Sequence, residues 1–231
     1  MSAPMAMVLA AGRGRRLLPI TATLPKPLVE VAGRPLIEHA LLRLQRAGIS
    51  RCVINISHLG EMIEARLGDG TRLGMQISYS REEQPLEVAG GIATALPLLG
   101  DKPFVVLNSD IVSGYPIERL VELAGNFAGR LGHLILGANP AHHPAGDFSI
   151  VSGLARPAAE SESLTYTGCA LFTPQLFAGL PSGGSAALRP LLDRAIAKDL
   201  ISAEHHDGAW IDAGDPARLA AAEQLAKEFS R

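Results

Sequence analysis

Aromatic residues make up only 4% of this 231-residue chain, too few for the stacking platforms on which single-stranded nucleic acids lie. No excess of positive charge stands in their place. The 21 Lys and Arg against 23 Asp and Glu leave a formal net charge of −2, which excludes a broad basic face for nucleic acid or a membrane surface. Cysteine is nearly absent. Cys52 and Cys169 each sit inside an apolar run and read as buried thiols, with no disulfide framework or metal knuckle to join. No apolar stretch approaches membrane-spanning length. The run Pro4–Ala11 is too short for a secretory leader and has no Lys or Arg before it. A soluble protein of the reducing cytoplasm is expected, and 47% hydrophobic residues suffice for one large α/β domain.

Hydrophobic spacing alternates between periods of two and 3.6 through the first half. Strands are expected at Met5–Leu9, Arg51–Ile56, Gln76–Ser80 and Pro103–Leu107, and helices at Pro35–Ala47, His58–Leu67 and Gly90–Leu98. Such alternation implies a parallel sheet covered on both faces, with ligands beyond the carboxyl ends of its strands. The second half is less regular. Strands are expected at His133–Gly137, Phe148–Val151, Thr165–Phe172 and Ala209–Ile211, and helices at Ala187–Lys198 and Pro216–Phe229, with loops and short hairpins over Asn139–Glu162. No repeat or long linker divides the chain. It reads as one unit over residues 1–231, with a first half to about residue 112 and a second half from about 113.

Two glycines follow the first strand directly, in Leu9-Ala10-Ala11-Gly12-Arg13-Gly14-Arg15-Arg16-Leu17. Without Cβ atoms, Gly12 and Gly14 allow backbone N–H groups to turn toward an anion. The positive charge that is scarce elsewhere collects here at Arg13, Arg15 and Arg16, and Lys26 stands between Pro25 and Pro27. An amide cradle with a guanidinium fork and a compact ammonium suits a polyphosphate, hence a nucleotide. The dinucleotide fingerprint does not apply, because position 17 is Leu, and no Gly-x-x-x-x-Gly-Lys-Ser/Thr string occurs.

Asp110 follows the apolar run Phe104–Leu107, and Asp212 closes Trp210-Ile211-Asp212. A carboxylate at a strand end is costly unless it meets a cation. Alone, each reads equally well as a turn former. The paired histidines His142-His143 and His205-His206 lack a third ligand at helical spacing, and His205-His206 reads as a surface turn.

The spacing Leu9-Ala10-Ala11-Gly12-x-Gly14-x-Arg16-Leu17-x-Pro19-x-Thr21, then Pro25-Lys26-Pro27, resembles the signature of the sugar-phosphate nucleotidyltransferase family. The resemblance implies a Rossmann-like, three-layer α/β fold (GT-A-like) with a mainly parallel central sheet and a small sugar-binding insert. It implies transfer of a nucleotidyl group from a nucleoside triphosphate to a sugar 1-phosphate, with release of pyrophosphate. Asp110 and Asp212 become the expected Mg²⁺ ligands, Arg16 the group on the β- and γ-phosphates, and Lys26 the cation near the reacting centre. Ala11, Gly12, Arg13, Gly14, Arg15 and Gly90 join them as nucleotide-binding residues. Within the family, Asn139-Pro140-Ala141-His142-His143-Pro144-Ala145-Gly146-Asp147-Phe148 is similar to a segment of the bacterial N-acetylmuramate 1-phosphate uridylyltransferases of cell-wall recycling. That similarity implies sugar contacts from Asn108 and Asp147 and a close approach at Gly168. Partners are then the triphosphate and the sugar phosphate, in a monomer or small homo-oligomer.

The chain departs from the family pattern in three places. Val88 removes a hydroxyl from the base-reading segment Leu86–Gly91, Ser109 precedes Asp110 where glycine is usual, and Asp215 adds a third carboxylate near Asp212. These departures leave guanylyl or thymidylyl transfer to mannose or glucose 1-phosphate as rival activities. A non-catalytic nucleotide-sugar-binding regulator is the rival of another kind.

Overall fold

Ala6, Met7 and Val8 are wholly buried in the first strand, as a continuous apolar run requires when both faces of a sheet are covered. The computed structural model describes residues 3–127, 129–159 and 162–229; residues 160 and 161 of the Asn139–Glu162 stretch lie outside them. In chain order the elements are β1 (Met5–Leu9), β2 (Glu30–Val31), β3 (Arg34–Pro35), α1 (Leu36–Arg46), β4 (Arg51–Ile56), α2 (Gly60–Leu67), β5 (Gln76–Arg81), α3 (Glu87–Leu99), β6 (Phe104–Asn108) and β7 (Ile111–Ser113). They continue as α4 (Glu118–Ala124), β8 (Gly132–Gly137), β9 (Phe148–Val151), β10 (Leu154–Pro157), β11 (Thr165–Phe172), α5 (Arg189–Ile196), β12 (Ile201–His206), β13 (Trp210–Asp212) and α6 (Pro216–Phe229).

Nine strands form the main sheet in the order β5-β4-β1-β6-β11-β8-β12-β10-β9. The first four are mutually parallel. β11 enters antiparallel between β6 and β8, and β12 then runs parallel to β8. One face carries α1, α2 and α4 over Val8, Ile54 and Val105. The other carries α3 and α5 over Met7, Val53 and Val106. This is the expected three-layer α/β architecture. Register places Leu9 beside both Asn55 and Asn108, so the carboxyl ends of β4, β1 and β6 form one rim.

A smaller unit sits on that rim. β7 and β13 pair as an antiparallel ribbon, and a third cluster (Val112, Ala213, Ala222 and Leu225) packs α6 against it. Several elements differ from the sequence expectation. The helix expected from Gly90 starts at Glu87, and the one expected from His58 starts at Gly60. His205 and His206 end strand β12 and pair in register with Leu136 and Gly137, which corrects their reading as a surface turn. The flanking Ile201-Ser202-Ala203 alternation is too short and polar to announce a strand, and parallel pairing with buried β8 decides it. Both cysteines are buried, and burial pushes each thiol up to about 12, which leaves them unreactive.

Candidate active site

The glycine loop leaves β1 over a cavity of about 380 Å³. Ala11, Gly12, Gly14, Arg15, Arg16 and Lys26 line one side, and Glu87, Val88, Asn108 and Asp110 line the rest with Gly214. Gly14 adopts φ +59°, and a Cβ there would come within 2.9 Å of the Lys26 Cβ. Glycine is therefore required twice over, by conformation and by the close approach of Lys26. Thr21 Oγ1 donates to the Gly14 carbonyl at 2.9 Å and closes the loop onto the Pro25-Lys26-Pro27 turn. Arg16 keeps 64% of its side chain exposed, free to meet an incoming anion.

Beneath this loop runs a buried polar chain that the sequence reading missed. Ala10 N–H donates to Asn55 Oδ1 at 2.9 Å, and Asn55 Nδ2 donates to Glu82 Oε1 at 2.7 Å. Glu82 Oε2 accepts the Leu86 N–H at 2.9 Å. Burial raises the Glu82 carboxyl above its ordinary range, against the pull of both donors. The chain ties the phosphate loop to the start of α3. Its only sequence signal is a polar residue, Asn55, inside the apolar run of β4. Gly90 does not reach the cavity. Its N–H is donated to the Ala186 carbonyl at 3.1 Å, and its missing side chain admits the backbone at Gly184. Arg13 is exposed on the loop, outside the cavity lining.

The ribbon brings the two strand-end aspartates together. Ile111 pairs with Asp212 across it, and Ala213 N–H donates to the Asp110 carbonyl at 2.9 Å. Lys26 Nζ contacts Asp110 Oδ2 and stands 3.7 Å from Asp212 Oδ1. The Lys26 side chain is only 10% exposed, so these carboxylates are its solvent. Arg218, which the sequence reading did not single out, donates to Asp212 Oδ2 at 2.6 Å. Asp215 faces Arg218, not the cavity: it accepts the Arg218 backbone N–H at 3.0 Å and its Nε at 2.7 Å. Those two bonds lower its carboxyl below the usual range.

Asp212 Oδ1 is buried with no hydrogen-bond partner. An acceptor without a donor, 3.7 Å from an ammonium that a second carboxylate shares, fits a hard dication that takes few protein ligands. Among the described residues no group of three or more His, Cys, Asp or Glu could hold a metal, so a dication here would rely on two carboxylates, water and substrate oxygens.

On the other side of Asn108, Gly168 sits at φ +72° in an irregularity of β11. A Cβ there would lie 2.6 Å from Asn108 Nδ2, so Gly168 makes room for the Asn108 amide. Asp147 is occupied by its neighbours. His143 Nε2 donates to its Oδ1 at 3.0 Å, and its Oδ2 accepts the Tyr166 N–H at 2.9 Å. It lies outside the cavity lining and stitches the 139–147 loop to β11. From the same loop, His142 Nε2 accepts from Arg218 Nη1 at 2.8 Å.

The family model for nucleotidyl transferases matches residues 5–152. The chain is 43% identical over 225 residues to the N-acetylmuramate alpha-1-phosphate uridylyltransferase of Neisseria meningitidis, covering 96% of this chain and 97% of that protein. It is 36% identical over 238 residues to the enzyme of the same name from Caulobacter vibrioides, again covering 96% and 97%. A Bacillus anthracis structure assigned as a glucose-1-phosphate thymidylyltransferase, solved with sucrose, superposes with a TM-score of 0.87 at 22% identity, over 97% of this chain and 96% of that one. The matched segment contains the glycine loop, Lys26 and Asp110, and the identity to the two relatives extends across nearly all of both chains, so this chain belongs to the nucleotidyl transferase family.

Proposed function

We propose that the protein is an Mg²⁺-dependent uridylyltransferase that joins UTP to N-acetylmuramate α-1-phosphate, giving the UDP-sugar and pyrophosphate in the cytoplasm. The observation that carries the chemistry is the buried ammonium of Lys26 between Asp110 and Asp212 at the mouth of the glycine loop. Full-length identity to two relatives of that name supports the choice of substrates. Among the described residues no helix is long and apolar enough to cross a membrane.

The nucleophile is a sugar-phosphate oxygen, and phosphate with a second pKa of about 6 is already ionised near neutrality. No general base is required. A bond forms from that oxygen to the α-phosphorus, while the bond from the α-phosphorus to the bridging oxygen of pyrophosphate breaks. The task for the protein is to hold two polyanions in line. Residues up to about 112 take the nucleotide: the loop amides from Ala11 to Gly14, with Arg15 beside them, hold it, and Arg16 receives the departing pyrophosphate. Lys26 neutralises charge beside the reacting centre. Mg²⁺ held by Asp110 and Asp212 would supply further neutralisation of the phosphate oxygens. Residues from about 113 onward, together with Asn108, take the sugar: Gly168 leaves room for the Asn108 amide, and Asp147 ties the 139–147 loop to β11.

The test is pyrophosphate release across UTP, dTTP, GTP and CTP, each paired with the 1-phosphates of N-acetylmuramate, N-acetylglucosamine, glucose and mannose. Fastest turnover of N-acetylmuramate α-1-phosphate with UTP is the expected result. Turnover of mannose 1-phosphate with GTP, and none with the expected pair, would overturn it.

A further inference from the structure

Three cations lie within reach of the Asp212 carboxylate. Lys26 Nζ is 3.7 Å from Oδ1, Arg16 Nη2 is 4.0 Å from Oδ2, and Arg218 Nη1 is 2.6 Å from Oδ2. Only Arg218 donates a hydrogen bond to it. Its guanidinium is itself fixed by two further anchors, Asp215 through Nε and His142 through Nη1, and its backbone N–H donates to Asp215 Oδ1 at the start of α6. Its side chain is 15% exposed. The consequence for Asp212 is directional. With Oδ2 held by Arg218, rotation of the carboxylate is opposed, and buried Oδ1, which accepts no hydrogen bond, stays turned toward Lys26, which also contacts Asp110.

We propose that Arg218 is a positioning residue for the metal-binding carboxylate: it aims Asp212 Oδ1 at the dication and keeps Arg16 free for phosphate. The inference rests on the reading of Asp110 and Asp212 as the Mg²⁺ ligands. A carboxylate that loses its anchoring donor turns to the next cation, and here the next cations are Lys26 and Arg16, both of which the reaction needs elsewhere. Partners that orient metal ligands are typically worth about 10–100-fold in metal affinity or activity. The His142 contact adds a second feature. The loop 139–147 and the Asp212 carboxylate share one guanidinium.

The experiment compares the full-length wild type with R218Q and R218K. Mn²⁺ binding in the presence of UTP is measured by electron paramagnetic resonance, beside kcat, KM for both substrates, and thermal melting. R218Q is expected to lose about tenfold or more in Mn²⁺ affinity, with kcat falling more than either KM. R218K retains one cationic donor and is expected to recover part of both losses, although it cannot reproduce the contacts to Asp215 and His142 together. A role confined to stapling the first turn of α6 would lower the melting temperature alone. R218Q with Mn²⁺ affinity within twofold of wild type overturns the proposal, as does R218K with no recovery over R218Q. If the wild type with UTP binds no Mn²⁺, the metal reading itself falls. If the wild type binds it and R218Q binds it equally, only the role of Arg218 falls.

Discussion

Lys26 occupies the place where a dication would meet Asp110, so replacing it with Met should move metal affinity and turnover in opposite directions. Lys26 Nζ contacts Asp110 Oδ2 and lies 3.7 Å from Asp212 Oδ1. A unit charge at about 4 Å is worth about 1 kcal/mol in water and about 4 kcal/mol at an effective dielectric of 20. Both aspartates are more than a fifth exposed, so the lower part of that range applies. Removing the ammonium should therefore strengthen Mn²⁺ binding without nucleotide by about tenfold, or about 1.4 kcal/mol. The same substitution leaves two carboxylates facing each other and should destabilise the metal-free fold by about 1–3 kcal/mol. Mn²⁺ should then raise the melting temperature of Lys26→Met more than that of wild type. Turnover should nevertheless fall by about 10²–10³, the usual cost of one donor aimed at developing charge. Electron paramagnetic resonance titration without nucleotide, melting with and without Mn²⁺, and pyrophosphate release together read all three effects. Weaker or unchanged Mn²⁺ binding in Lys26→Met would refute the competition argument, and retained turnover would remove Lys26 from the chemistry.

Asp110→Asn should abolish pyrophosphate release while leaving UTP binding, measured by calorimetry, within about tenfold of wild type, because the glycine loop and Arg16 remain. Gly168→Ala forces a side chain into φ +72° and against the Asn108 amide, so KM for the sugar phosphate should rise more than KM for UTP in steady-state kinetics. Glu38 is pushed upward by burial, but Arg72 and Arg66 outweigh this and its carboxyl ends below its ordinary value of 4.5. Its contribution is thus present above pH 4.5 and lost as pH falls below it. Glu38→Gln should destabilise the fold at pH 7 by about 1–2 kcal/mol, for hydrogen bonds to half-exposed guanidiniums, seen as a lower melting temperature, and the gap from wild type should close in acid. Glu82 has the opposite sign: burial raises its carboxyl, so its contribution is greatest below 4.5 and is lost as pH rises through the raised value. Glu82→Gln should flatten that part of the pH–stability curve. It should also raise KM for UTP, because an amide N–H must then face the Asn55 or Leu86 donor.

The first half of the fold was legible because each element there carries its own local signal. β1, β4 and β6 are continuous apolar runs, and α1 shows an apolar stripe closed by Gly48. Two of the strands that escaped have distant partners. β7 is three residues long and exists by pairing with β13. β12 has Ser, Glu and two His among its six residues and is held by parallel pairing with fully buried β8. Short strands of mixed polarity take their state from neighbours, and no window along the sequence contains those neighbours.

The site divides along the same line. Gly12, Gly14, Arg16 and Lys26 were readable because one short segment holds them all, and the geometry that uses them is local to that segment. Asn55, Glu82 and Arg218 were not, because each works through a hydrogen bond to a residue far away or through a carboxylate two turns of logic removed from the phosphate. Asp215 shows why spacing alone misleads. Three residues from Asp212, it looks like a third acid near the metal, yet α6 starts at Pro216 and turns the Asp215 carboxylate back onto its first turn. There it fixes Arg218, and Arg218 fixes Asp212. A carboxylate that would add repulsion beside two others instead contributes the anchor that keeps one of them aimed, and it does so because a helix begins one residue later.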